Sequence, residues 1–399
     1  MDMLFNREDL AFRQEVRAYF KENLPETVRE VVRRTPSYVS KSDMVAWHKA
    51  LYKRGWIAPA WPVEYGGTGW SVTKRHIFEE EYSANDAPRI SGFGITMVGP
   101  VIYTFGTSAQ KDRYLTNILS GDELWCQGYS EPGSGSDLAS LQTRAVLDGN
   151  EYVVNGQKIW TSQAHKADMI FCLTRTDPDV KKQEGITFLL IDMRSKGLTV
   201  KPIISMDGGH YLNEVFFDDV RVPVENRIGD ENKGWTYAKF LLGHERTGIA
   251  GVGKSKQKVK KLKQIAEIER AAGGSLLDDH AFKSRISKVE VSLSAIEITN
   301  LRMMSALAGG GNPGSESSTL KISGTVIEQE LNELLVEAMG FYALPYDASM
   351  VRPDANEPPV GPEHSVGLMS ERLLRRAAAI YGGSNEIQRN VIAKAVLGL

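Results

Sequence analysis

Between residues 141 and 222 the sequence changes its period, and this change limits the fold more than any other feature. Segments 141–147, 152–154, 157–160, 169–174, 186–193, 198–203 and 214–222 are short, rich in β-branched and aromatic residues, and separated by turn signals. Asp148-Gly149-Asn150 and Asn155-Gly156 read as hairpin turns. No helical pattern lies between the segments, so they predict an antiparallel sheet or barrel module.

Both flanks read as helical. Phe12, Val16, Tyr19 and Phe20 share one face of 9–23, with Pro25 close behind. Ser42-Asp43 opens a helix through Trp47 and Leu51 that stops at Gly55. Further helices are predicted over 74–83 and, with Thr107 as N-cap, over 108–119. Beyond the β module, 234–270 reads as one long helix, followed by 284–307, 320–339 and 370–399, the last broken at Gly382-Gly383. Four such helices predict a four-helix bundle, interrupted by inserts at 309–318 and 344–366 of the kind that form interfaces or lids. The fold class is α+β: an N-terminal helical domain (1–125), a middle antiparallel β domain (126–233) and a C-terminal helical bundle (234–399).

A formal net charge of -2 over 399 residues argues against a nucleic-acid partner. Cys126 and Cys172 are too few for a disulfide framework or a zinc cluster, and the seven histidines lack metal-ligand spacing, so no metal is expected. The first residues lack a basic region followed by an apolar core, and no apolar run approaches the ~18 residues that span a bilayer. A cytoplasmic protein without membrane insertion is the expectation. Glu79-Glu80-Glu81 and the lysines at 254, 256, 258, 260, 261 and 263 read as solvated helix faces.

Chemistry concentrates in two stretches. Gln127–Asp137 holds three glycines and one proline, which forbid a helix or strand interior, and Ser130, Ser134 and Ser136 add hydroxyls to freed backbone N–H groups. Such a loop cradles a phosphate or a flavin rim, or is an ordinary surface turn. It lacks G-x-G-x-x-G spacing, and G-x-S-x-G is absent, so neither a Rossmann site nor a serine hydrolase fits. In 241–253, Gly243, Gly248, Gly251 and Gly253 each cost about 1 kcal/mol in a helix and so need a reason. Glu245 among them is either a general base whose pKa burial raises, or half of a surface pair with Arg246.

Four motifs then match a known family. Gln127–Asp137, Gln157-Lys158-Ile159-Trp160-Thr161-Ser162, Val215–Pro223 and Tyr381–Arg389 resemble, in order and spacing, the signatures of acyl-CoA dehydrogenases. Within that family, Gly208-Gly209-His210 and Ala395–Leu399 are similar to the branch of large subunits acting on pimeloyl-CoA. The resemblance implies FAD and an acyl-CoA substrate. It implies flavin or thioester contacts at Gln127, Tyr129, Ser130, Gly135 and Ser136, Trp160 beside the ring, and Ser162 at flavin N5. Ser384 and Glu386 would hold the AMP end of FAD, and segments 90–101 and 236–249 would line the acyl pocket. Many members carry their base where this chain has Gly382; Glu245-Arg246 resembles the Glu-Arg pair of branches that place the base after the β module. An electron-transferring flavoprotein would take the electrons.

Segments that hold a neighbour's FAD in homotetrameric members are largely lost around Glu269–Gly273 and Glu337–Phe341. The chain is therefore expected to be a homo-oligomer or to pair with a related small subunit. Rival readings are a flavin-binding partner subunit without turnover, and an acyl-CoA oxidase or flavin monooxygenase on the same fold.

Overall fold

The computed structural model of the chain describes residues 5–34, 39–245, 250–271, 273–308, 314, 316–346 and 355–399. Six helices come first: α1 (Arg7–Asn23), α2 (Glu26–Arg34), α3 (Lys41–Arg54), α4 (Val72–Ala84), α5 (Gly99–Phe105) and α6 (Ser108–Ser120). Helix α1 opens on an Asn6–Asp9 capping box and buries Phe12, Val16 and Phe20, the face its spacing predicts. Thr107 and Gln110 form the same device on α6, and α3 ends at left-handed Gly55. Helix α2 lies outside the sequence reading. Before α5, residues Phe93–Val98 form a π-helical turn, a rare form often found at functional sites.

Seven strands follow: β1 (Trp125–Gly128), β2 (Arg144–Asp148), β3 (Glu151–Lys158), β4 (Met169–Arg175), β5 (Ile186–Asp192), β6 (Leu198–Ile204) and β7 (His210–Pro223). They order as β1-β4-β2-β3-β7-β6, with β5 also on β4. Most pairs are antiparallel as predicted, but β1 and β2 each meet β4 in parallel. Strand β4 is buried along its whole length because its two faces serve two cores. Met169, Phe171 and Leu173 join the core of the N-terminal helices, while Ile170 and Cys172 join the module's own. Gly149-Asn150 makes the predicted β2–β3 hairpin. Asn155-Gly156 does not turn the chain. It lies inside β3 as a bulge against β7, where Asn155 exchanges two 2.9 Å bonds with Asp219. Gly156 adopts φ +145 and a Cβ there would come within 2.7 Å of the Thr143 backbone, so only glycine fits.

The C-terminal part holds α7 (Gly234–Glu245), α8 (Val252–Ile268), α9 (His280–Ala308), α10 (Glu316–Met339), α11 (Leu368–Arg375) and α12 (Asn385–Ile392). The single helix expected over 234–270 is thus two, with Gly251 at φ 59 heading the second. Tyr237, Ala238 and Leu241 of α7 pack into the N-terminal core, whereas Leu262, Ile286, Leu293, Leu331 and Leu334 of α8–α10 build a separate bundle core. Helices α11 and α12 are shorter than the reading of 370–399, because left-handed Gly382 and Gly383 end one run before Ser384 caps the next. Of the inserts at 309–318 and 344–366, residues 309–313, 315 and 347–354 lie outside the described residues. No helix among the described residues is long and apolar enough to cross a membrane.

Candidate active site

The loop after β1 is held by charge from beneath. Glu131 and Ser134 exchange backbone bonds of 2.9 and 3.0 Å, closing a tight turn, and Ser134 Oγ donates to the carbonyls of Asp137 and Leu138. The Glu131 carboxylate accepts from the backbone N–H groups of Gln142 (2.5 Å) and Thr143 (2.9 Å) and from Lys158 Nζ (2.7 Å). Lys158 is fully buried at the end of β3 and also donates to the Tyr129 carbonyl at 3.1 Å, while Ile159 N–H donates to the Ser130 carbonyl. Burial pushes Glu131 up, but Lys158 and the surrounding donors outweigh it and keep the carboxyl below its ordinary range. Two sequence-distant motifs are thereby clasped together: the loop and the Gln157–Ser162 segment. Sequence reasoning missed the Glu131–Lys158 pair; its signal was two opposite charges inside motifs otherwise made of turn and apolar residues.

What the clasp presents is open. Gly135 and Ser136 are exposed, Gln127 and Ser130 half-buried, and Tyr129 buried. A Cβ at Gly133 or Gly135 would meet no protein atom within 4 Å, so packing within the chain does not demand those glycines. A recess of about 420 Å³ borders Glu131–Ser134, Gln142, Thr143 and Gln157.

Next on the chain, Trp160 has φ 59 and is 56% exposed. A left-handed conformation at a bulky residue costs of order 1–3 kcal/mol and persists only where neighbours enforce it. Buried Asn213 does so here, because its Nδ2 donates to the Thr161 carbonyl (2.9 Å) and its carbonyl accepts from Thr161 N–H (2.9 Å). Asn213 also links His165 and His210, whose rings stack at 3.9 Å. Burial and the neighbouring His210 pull His165 down to about 4. Ser162 is half-buried beside this frame, and Thr161 Oγ1 is buried without a hydrogen-bond partner among the described residues.

Helix α7 carries the candidate base. Its Tyr237 and Phe240 rings pack on Phe105 at 4.7 and 5.0 Å, which seats it against α5 and the π-helical turn. Glu245 is its last residue; the Glu245 side chain and all of Arg246 lie outside the described residues. Gly382, the alternative base position, has φ 65, so glycine there has a backbone reason as well. Ser384 and Glu386 sit on α12, where Ser384 Oγ accepts from Ile387 N–H as the helix cap and Glu386 stands in the exposed first turn.

The two faces read as solvated are so only in part: Glu79, Lys254, Lys260 and Lys263 are exposed, while the others are half-buried or buried. Glu81 is buried and bonded to Arg17 at 2.7 Å, and Glu80 pairs with Arg13 and Lys256. Glu79 is reached by solvent, yet desolvation, only partly offset by Arg75, raises its carboxyl to about 7. His76, Glu80 and Glu297 converge within 4.8 Å, with Lys256 bonded to both carboxylates.

Known proteins agree with this layout. The acyl-CoA dehydrogenase N-terminal domain matches residues 6–122, the middle domain 126–220 and the C-terminal domain 232–397. Acyl-CoA dehydrogenase IpdE1 of Mycobacterium tuberculosis is 37% identical over 359 residues, covering 89% of this chain and 87% of that protein. Acyl-CoA dehydrogenase FadE26 of the same organism is 32% identical over 409 residues, covering 100% and 99%. The solved Tcur3481-Tcur3483 steroid ACAD superposes with a TM-score of 0.86 at 30% identity, covering 100% of this chain and 99% of that one. The ChsE4-ChsE5 complex from Mycobacterium tuberculosis gives 0.83 at 32%, with the same coverage. The pimeloyl-CoA branch suggested by Gly208–His210 gives way to these relatives. Domain models that follow one another along the chain, together with relatives of this identity, leave one conclusion: the chain belongs to the acyl-CoA dehydrogenase family and is an FAD-dependent oxidoreductase.

Proposed function

We propose that the chain oxidises an acyl-CoA thioester to the trans-2-enoyl-CoA, with Glu245 removing the α-proton. The observation that carries this reading is the place of Glu245, at the end of a helix seated on the π-helical wall, while the other family base position is a left-handed glycine. FAD, when bound, supplies the acceptor for the β-hydrogen. The residues present fit it: an exposed indole held in a strained conformation, a buried Thr161 hydroxyl without a hydrogen-bond partner among the described residues, and a loop where a Cβ at Gly135 would meet no protein atom within 4 Å. Gln127, Tyr129, Ser130, Gly135 and Ser136 would hold the ring and ribityl side, Trp160 would cover the ring, and Ser162 would bond its N5. Ser384 and Glu386 would meet the AMP end. Donors on the loop that polarise the thioester carbonyl stabilise the enolate that forms as Glu245 takes the proton; Arg246 beside it would orient the carboxylate.

A heteromeric assembly is supported from two sides. The similar structures named above are each described by two chains, and this chain leaves Phe341 87% exposed with Tyr342 and Leu344 beside it. The reading is a large subunit that shares its cofactor site with a related partner, passes electrons to an electron-transferring flavoprotein, and acts on a bulky, steroid-related acyl group. Glu245→Gln should keep its flavin colour and lose about 10²–10⁴-fold in turnover. Near-normal turnover would reject Glu245 as the base, and full flavin occupancy and activity of the chain alone would reject the shared site.

A further inference from the structure

The segment that carries Trp160 and Ser162 is pinned to the first residues of β7. Gln163 N–H donates to the Tyr211 carbonyl (2.8 Å), and Thr161 N–H to the Asn213 carbonyl (2.9 Å). Trp160 and Gln163 bracket Thr161 and Ser162, and both are left-handed, at φ 59 and φ 61. Residues other than glycine keep that conformation only where their surroundings impose it. The Asn213 side chain, fully buried, adds a 2.9 Å bond from Nδ2 to the Thr161 carbonyl. Asn213 thus grips both peptide groups that flank Thr161, the one from Trp160 and the one to Ser162.

That side-chain bond fixes the chemistry of two histidines. A backbone carbonyl only accepts, so the atom facing Thr161 must be Nδ2, and the amide cannot be turned over. The second Nδ2 hydrogen meets His165 Nδ1 at 3.2 Å, with the Tyr211 carbonyl farther at 3.5 Å. His165 Nδ1 is therefore an unprotonated acceptor. Oδ1 only accepts, so His210 Nε2 carries a hydrogen and donates to it at 2.8 Å. Both rings are exposed, so solvent protons reach them. A proton on His165 Nδ1 would set donor against donor, and turning the amide would set Oδ1 against the Thr161 carbonyl. The charged groups that act on His165 are His210 of β7 and Lys166 beside it, whose carbonyl accepts from Lys41 of α3 at 2.7 Å. Desolvation first, then His210 and Lys166, hold the ring down to about 4, the direction that this arrangement requires.

We propose that Asn213 is a positioning residue for the reaction: it seats the Trp160–Ser162 segment for the flavin only while His165 is neutral, so proton uptake by that exposed ring unseats the segment. This rests on the dehydrogenase reading above, in which Trp160 covers the flavin ring and Ser162 bonds its N5. The chain of contacts is short: an exposed imidazole, one buried amide, and the backbone on either side of Thr161.

The test uses the flavin-loaded protein, with any partner chain that co-purifies. It reads turnover and the fluorescence of the bound flavin, which a stacked indole quenches. Asn213→Asp keeps the shape but places a carboxylate oxygen where Nδ2 was. That oxygen repels the Thr161 carbonyl and bonds His165 only when the ring is protonated. At about pH 8 the variant should lose about ten-fold or more in turnover and fluoresce more brightly than wild type, and towards about pH 6 it should regain part of both. In the double variant Asn213→Asp/His165→Gln that recovery should vanish. Wild-type turnover and fluorescence in Asn213→Asp at about pH 8 would overturn the positioning role. A loss that pH does not alter, or a recovery that survives His165→Gln, would overturn the link to His165. If Asn213→Asp does not fold, wild type decides. Its flavin should brighten with a midpoint at about pH 4, before far-ultraviolet circular dichroism reports unfolding, and simultaneous changes would overturn the proposal. Absence of flavin bleaching by every acyl-CoA would instead overturn the dehydrogenase reading, while the fluorescence readings still decide how the flavin is seated.

Discussion

Lys158 is sealed from solvent and Lys254 is open to it, yet the sealed one is the settled charge. Lys158 meets the Glu131 carboxylate and the Tyr129 carbonyl, while Lys254 bonds to no anion among the described residues and is held below its ordinary range, chiefly by the charge of Arg89. Partners, more than depth, decide whether a charge is structural or available. A buried ion pair with its remaining bonds satisfied makes the loop a rigid platform.

The largest effect should come from breaking the settled one. Lys158→Met leaves Glu131 buried and unpaired, a loss of about 3–5 kcal/mol. Chemical denaturation should show that drop, with flavin retention falling alongside; a drop under about 1 kcal/mol would mean the pair is incidental. Next in size is Asn213→Ala, which leaves the Thr161 carbonyl without its side-chain donor at a cost of about 1–3 kcal/mol. It should also let Trp160 leave its left-handed conformation, read as a change in near-ultraviolet circular dichroism. An unchanged spectrum would show that the strain is held from elsewhere.

The smallest effect tests Lys254. Its folded pKa lies below its unfolded one, so between pH 7 and 10.5 the unfolded chain binds more protons and stability rises with pH. The penalty is full below pH 7 and gone above pH 10.5. Lys254→Met should therefore raise the melting temperature slightly at about pH 6, with the gain fading towards about pH 10. A gain independent of pH would point to helix propensity or packing instead of relieved repulsion.

Much of this was legible in the chain. Short runs rich in β-branched and aromatic residues between turn signals exposed most strands, and Thr107 and Gly55 marked helix ends by capping chemistry. Asn155-Gly156 misled because the dipeptide that favours a tight hairpin also suits a bulge, and only the partner strand distinguishes them. The lysine and glutamate runs misled for a related reason. Amphipathic spacing identifies which residues share a face, but not that the face meets another domain's charges, as Lys256 does between Glu80 and Glu297. Strand β1 escaped notice because it is four residues long and parallel to β4. The loop motif was read as a cradle, yet its Glu131 proved to be the tether.

The π-helical turn at Phe93–Val98 has a consequence for how this enzyme can change. A wide turn carries one residue more than the α-helical path, which rotates the downstream helix by about 100°. In that frame α5 reaches α7, with Phe105 packed on Tyr237 and Phe240. Within the turn Gly94, Ile95 and Val98 are buried, whereas Phe93, Thr96 and Met97 are not. A single deletion would restore a regular helix and swing Phe105 away from its partners. Descendants of this sequence are thus freer to alter Phe93, Thr96 and Met97 than to change the number of residues in the turn.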